Sequence, residues 1–203
     1  MKMRLFFLCT AAALTACAAA PTPTSPTAAG ASQEIYEVDS KHTFANFEIS
    51  HLGFSTHRGR FNKTTGSITL DRAAHTGALT IMIDANSVDT GDKRLEQRLR
   101  EPDWLDTEAY PTIEFKSSHL RFDGDTLVGV DGELTLHGVT KPVSLTVTSF
   151  HCGNRKLIPL LTQYECGADA HTQIKRSDFG LTSTLSMVGD DVKLLIQIEA
   201  LKH

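Results

Sequence analysis

The 203-residue chain has little of what most function classes require. It has no block of Lys and Arg that could follow a phosphate backbone, and its formal net charge of −4 comes from well-mixed signs, so nothing marks nucleic acid as a partner. No apolar run reaches the roughly 20 residues of a membrane-spanning helix. Catalytic signatures are missing too: no Gly-x-Ser-x-Gly elbow, no phosphate-cradling Gly-rich loop and no His-Glu-x-x-His helix occurs. His42, His51, His57, His75, His119, His137, His151 and His171 stand singly and His203 is terminal, without the i, i+2 or i, i+4 spacing that fixes two imidazoles on one metal. These absences speak against an enzyme, a metal and a cofactor.

What the chain does have begins with an address. Lys2 and Arg4 precede the short apolar run Leu5 to Leu14, the form of a signal-peptide core. The run ends in Leu14-Thr15-Ala16-Cys17, which resembles the bacterial lipobox, in which the Cys is acylated and becomes the first residue after cleavage. Residues 1–16 are then a lipoprotein signal peptide and Cys17 an acyl anchor holding the protein to a membrane in the bacterial periplasm. Ala18 in place of the Asp that often signals inner-membrane retention favours, by analogy, the outer membrane. The alternative is ordinary cleavage within Ala18-Ala19-Ala20, with Cys17 discarded; Cys9 lies in the leader either way. Ala18 to Ser32 is almost entirely Ala, Pro, Thr, Ser and Gly, too poor in apolar area to repay ordering, so residues 17–33 read as a flexible tether and 34–203 as the folded domain.

Alternation dominates that domain. Ala45, Phe47, Ile49 and His51 fall on one face of a strand, and the pattern recurs at Ile68 and Leu70, at Leu79, Ile81 and Ile83, and at Ile113 and Phe115. It returns at Val128, Val130, Leu134 and Leu136, at Val143, Leu145 and Val147, and at Val192, Leu194, Ile196 and Ile198. Seven or eight such runs between Gly, Asp, Asn or Pro turns predict an all-β antiparallel sheet, a sandwich or a barrel. The regularity of the last strand favours the barrel, because pairing it with the first removes both edges. The exception lies near residues 91–109: Asp92 to Arg100 carries helix formers with Leu95 and Leu99 four apart, Pro102 stops it, and Asp103 is placed to cap a second turn bearing Trp104 and Leu105. Such an insertion either plugs a barrel end or packs on the outer face.

Cys152 and Cys166 bracket a segment containing Pro159 with little regular pattern, read as a long excursion with few β contacts. In an oxidising compartment a disulfide is the favoured reading, worth ~3 kcal/mol for a loop of this size; free thiols and a thiolate metal site with His151 are the alternatives. Lys93, Arg94, Arg98 and Arg100 put four cations on or beside the helix, either to meet an anionic headgroup at a cavity mouth or as a solvated face with Glu96 and Glu101 among them. Arg58 and Arg60 are open in the same way. His51 and His137 are either ligand hydrogen-bonding groups or satisfied interior histidines, and Arg176 with Asp178 reads as a structural ion pair or turn cap. One rival reading is an enzyme using His51 or His137 as general base with a carboxylate such as Asp39. Another is an envelope stress or assembly factor acting through its outer surface.

Taken together, Tyr36-Glu37-Val38-Asp39-Ser40-Lys41-His42-Thr43, Phe47-Glu48-Ile49-Ser50-His51, Gly59-Arg60-Phe61 and Ser87-Val88-Asp89-Thr90 become recognisable. With Tyr110-Pro111-Thr112-Ile113-Glu114-Phe115, Gly132-Glu133-Leu134-Thr135-Leu136-His137-Gly138-Val139-Thr140 and Arg176-Ser177-Asp178-Phe179-Gly180, they make the chain from about Ile35 to Leu201 resemble the YceI-like family. The resemblance implies an eight-stranded, lipocalin-like antiparallel barrel in the periplasm that binds, sequesters or carries a long-chain lipid, a polyisoprenoid or isoprenoid quinone, and forms homodimers. The inward row of the alternation, Phe47, Ile49, Ile81, Ile83, Phe115, Val130, Leu134, Val147 and Ile198, is then the expected lining, with His51, Phe61, Arg98, Trp104, His137 and Phe179 as further ligand-binding candidates. Arg98 stands where many members have a His, a departure that bears on headgroup preference, and a subset of members has two cysteines where this chain has Cys152 and Cys166. Periodicity alone leaves one matter open, because the same inward row in a small barrel can fill the interior completely.

Overall fold

Period-two alternation folds into β-strands because an extended backbone sends every second side chain to one side. The computed structural model describes residues 33–158 and 161–203; the leader 1–16, Cys17, the tether through Ser32 and Pro159 lie outside the described residues. The strands are β1 (Glu34–Val38), β2 (Phe44–His51), β3 (Ser55–Phe61), β4 (Thr64–Asp71), β5 (Thr76–Asp84), β6 (Val88–Asp89), β7 (Thr112–Asp123), β8 (Thr126–Leu136), β9 (Val139–Ile158), β10 (Leu161–Lys175) and β11 (Val188–Lys202), with one helix, α1 (Lys93–Leu99).

Eleven strands fill only eight places in a closed ring. β1 and β2 both pair with β11, at residues 200–202 and 188–197, and are one strand interrupted by the turn at 39–43. β4 pairs with β1 and β3 with β2, so these two share the next place; β5 pairs with β4 and β6 with β3, so they share the third. From there β7, β8, β9, β10 and β11 follow in chain order, and the β1–β11 pairing closes the ring. The result is an eight-stranded antiparallel up-and-down barrel with no long edge left open.

The closing seam is reinforced where the first and last strands meet. The Glu34 carboxylate accepts from Lys202 Nζ (2.6 Å), Tyr36 Oη (2.7 Å) and Arg72 Nε (3.2 Å). The bonds from Lys202 and Tyr36 hold Glu34 down at about 2 from its ordinary 4.5. Burial, with the Glu34 charge beside it, pushes the Tyr36 hydroxyl above its usual value.

Three expectations are corrected. The segment between Cys152 and Cys166 is no excursion: β9 and β10 continue through it as a long hairpin, with Cys152 directly opposite Cys166 and their disulfide formed. Val128 does not share the inward face with Val130, because a register shift between Arg121 and Phe122 on β7 moves the phase of β8, and Leu127 faces inward instead. The second turn bearing Trp104 and Leu105 is present, but the Asp103 side chain does not cap it. Residues 101–106 form hydrogen-bonded turns, and Asp103 instead receives the Arg98 guanidinium.

Candidate functional site

The inward faces of the strands do not fill the barrel. They enclose a cavity of about 480 Å³ walled almost entirely by apolar atoms. Its walls carry the large side chains of the alternating rows, so the space must come from elsewhere. On β10 the inward positions are Cys166, Ala168 and Ala170, with Gly167 also on the wall, and Ala45 and Ala200 add two more short side chains. Ala168 lies opposite Phe150 and Ile198 in the ladder, where a larger residue would fill the gap between them.

One barrel end, here the upper, gathers the β2–β3 turn, the insertion 90–111, the β8–β9 turn and the loop 176–187. Asp92 starts α1 by accepting from Arg94 N at 2.9 Å, leaving Leu95 and Leu99 on one side. Leu95, Leu99, Trp104 and Leu105 all line the cavity, so the insertion plugs the barrel end rather than packing on the outer wall. Glu96, which the charge pattern groups with a solvated face, is only 2% exposed. Its carboxylate accepts from Lys93 Nζ (2.8 Å) and Thr90 N (3.3 Å), with Arg100 at 3.9 Å, and pins the plug to the chain that leads into it.

Three of the four helix cations, Lys93, Arg98 and Arg100, are spent on the protein itself, while the exposed Arg94 side chain makes no ion pair or hydrogen bond among the described residues. Arg98 grips Glu101 and Asp103, and Arg100 donates to the Asn86 and Val88 carbonyls at 2.9 and 3.1 Å. Arg58 binds Glu48 at 2.7 Å while lining the mouth, and Arg60 sits over the Phe44 ring. Arg176 makes no use of Asp178. Buried, it donates to the carbonyls of Leu181, Ser183, Val188 and Gly189 and lies over Trp104, fixing the mouth loop against the plug. Burial pulls its guanidinium below the ordinary arginine value.

Of the residues expected at the ligand, Phe47, Ile49, His51, Phe61, Ile81, Ile83, Trp104, Phe115, Val130, Leu134, Val147 and Ile198 line the cavity. Arg98, His137 and Phe179 do not. Arg98 is turned outward by its two carboxylates. His137 takes the left-handed position of the β8–β9 turn at φ 52, before Gly138 at φ 72, one residue past inward Leu136 and so out of phase with the inward row. There it packs on Tyr110 and bonds the Phe179 carbonyl at 3.3 Å, while Phe179 is buried in the surrounding core. Asp39 is engaged by His42 at 2.8 Å and by Arg155, so the base–carboxylate pair of the enzyme reading is not assembled. His51 instead stacks on His57, ring centroids 4.2 Å apart, at the cavity mouth. Elsewhere on the cavity lining, the Thr64 hydroxyl and Trp104 Nε1 are buried with no hydrogen-bond partner among the described residues.

Known proteins share this architecture. The YceI-like domain family matches residues 36–200. A UPF0312 protein of Pseudomonas paraeruginosa is 34% identical over 171 residues, 83% of this chain and 87% of the relative. Among solved structures, Burkholderia cenocepacia BcnA superposes with a TM-score of 0.67 at 25% identity, over 80% of this chain and 98% of its own. A polyisoprenoid binding domain from Saccharophagus degradans, implicated in plant cell wall breakdown, superposes with a TM-score of 0.63 at 21% identity, over 83% and 98% of the two chains, and shares the fold.

Proposed function

The chain belongs to the YceI-like family, and on that premise we propose that it binds and carries a long-chain apolar lipid, a polyisoprenoid or an isoprenoid quinone, threaded into its barrel. The observation that carries this reading is the cavity of about 480 Å³ inside a barrel that could have been filled. An apolar void of that size forgoes packing that large side chains at Ala168 and Ala170 would supply, and a chain of methyl and methylene groups restores it. At about 30 Å³ per water-sized group, the space takes on the order of fifteen such groups, roughly three isoprene units. A longer chain must therefore displace the plug or leave through the mouth. The polyisoprenoid binding domain of S. degradans supports the ligand class, since it carries the same barrel.

Binding rather than catalysis is the reading favoured by the site, whose wall offers shape and apolar surface with few polar groups. Acylation of Cys17 would keep the domain at a periplasmic membrane face, the outer membrane by the Ala18 argument, with the tether setting its reach. Trp104, the single tryptophan, lines the cavity and supplies a reporter. Titration with an isoprenoid quinone should change its fluorescence saturably, while the same quinone head without a tail should not. No saturable change with any long-chain isoprenoid would overturn the reading.

A further inference from the structure

Two neighbouring loops at the upper end leave large apolar side chains in solvent. Leu52 (47% exposed) and Phe54 (91%) stand in the β2–β3 turn, and Leu185 (40%) and Met187 (49%) in the loop before β11. A backbone bond from Leu52 N to Met187 O at 2.7 Å ties the loops into one ledge. The turn is a strained choice of sequence. Leu52 at φ 52 precedes Gly53 at φ 72, and Phe54 N donates to His51 O, a two-residue hairpin turn whose first left-handed position Asn or Gly fills with far less strain. Folding alone favours a small polar residue there, yet the turn projects a leucine beside a nearly bare phenylalanine.

The ledge continues into the cavity mouth. His51 and Val188, next in sequence to Leu52 and Met187, pair across β2 and β11, and both line the cavity with His57 and Arg58 of β3. Charges around the ledge are matched: Arg58 and Lys193 meet Glu48, and Lys175 meets Asp190 and Asp191. No field of one sign is left to recruit a charged partner. At these exposures the four side chains present on the order of 400 Å², as large as the patches that mark function on a monomer but about half of what each partner of a stable dimer covers. A small, neutral, apolar ledge around the mouth of an apolar cavity fits a partner that needs no shape match, the interfacial layer of a phospholipid bilayer.

We propose that Leu52, Phe54, Leu185 and Met187 form a bilayer-docking ledge that presents the cavity mouth to the membrane. A ligand could then pass between bilayer and barrel without crossing water, a consequence that rests on the lipid-carrier reading; the docking itself does not.

The test uses residues 33–203, whose strand pairings close the ring among themselves, so that neither leader nor acyl group contributes. The domain is sedimented with phosphatidylcholine vesicles at low salt and at about 1 M salt, where surface charges are screened. It should bind in both, and Phe54→Ser/Met187→Ser should bind at least tenfold more weakly, the effect expected for removing even one large side chain from an apolar contact. Met82→Ser, at an exposed methionine of the β5 outer face, should bind as the parent does. Circular dichroism confirms that each variant is folded. Absence of vesicle binding by the parent, or equal binding by the double variant, overturns the ledge. So does self-association of the parent that the double variant abolishes, which would assign the surface to a second copy. Lipid extraction from the same samples separates the two readings: docking without cavity lipid leaves the ledge standing and removes the carrier, and cavity lipid without docking does the reverse.

Discussion

Replacing Ala168 by Phe should sharply reduce the ligand the protein holds while leaving it folded. The Ala168 side chain faces the cavity between Phe150 and Ile198, on the strand whose short inward residues create the space. Six ring carbons at no more than about 30 Å³ per group would occupy up to about 180 Å³ of the roughly 480 Å³ present. Because the ring enters a void rather than a packed core, the 1–3 kcal/mol typical of overpacking does not apply. Burial of a phenyl group is instead worth about 1.5–3 kcal/mol, so the melting temperature should hold or rise by several degrees. The assay pairs thermal unfolding by circular dichroism with lipid extracted per mole of protein. Parent and variant should melt at similar temperatures, with lipid content falling several-fold in the variant. A stable Ala168→Phe protein carrying as much lipid as the parent would refute the assignment of the ligand to this cavity.

Removing the disulfide with Cys152→Ser/Cys166→Ser, whose partners are 14 residues apart, should cost ~3 kcal/mol and lower the melting temperature by about 6–12 °C in calorimetry. Glu34 is held at about 2 in the fold against 4.5 when free, so its seam contributes above the free value and is lost as pH falls from about 4.5 towards 2. The full depression corresponds to about 3 kcal/mol, which partial exposure screens to roughly 1 to 2. Glu34→Gln should therefore lower stability at pH 7 and flatten its fall between pH 5 and 2, as followed by urea melts; an unchanged acid limb would show that the pairing is worth nothing. Cys17→Ser, made together with Phe54→Ser/Met187→Ser so that the ledge contributes nothing, should move the protein from the membrane to the soluble periplasmic fraction, and continued membrane association would argue against acylation.

The barrel was legible because large apolar residues at period two mark strands wherever they occur, and closure followed from the regularity of β11. The cavity was not. Periodicity weighs large side chains, whereas this interior is opened by small ones at Cys166, Ala168 and Ala170, in a stretch whose mixed Thr, Glu, Gly and Asp residues hide its strand character. Site residues failed where the strand's phase or the local geometry decided. His137 follows inward Leu136 directly and is out of phase with the inward row, and the left-handed turn it makes with Gly138 sets it against Tyr110. Arg98 was open to a headgroup as one of four cations on the helix, yet the turn after the helix brings Asp103 back to the guanidinium. Glu96 looked solvated among cations, and only the fold shows that Thr90, Lys93 and Arg100 converge on it as a buried anchor.

The central claim is that the barrel interior holds an isoprenoid-type lipid. Its most direct test is organic extraction of the full chain purified from its native membrane environment, followed by mass spectrometry. The account predicts close to one long-chain polyisoprenoid or isoprenoid quinone per protein. Protein that is folded, disulfide-bonded and free of any stoichiometric lipid would contradict it.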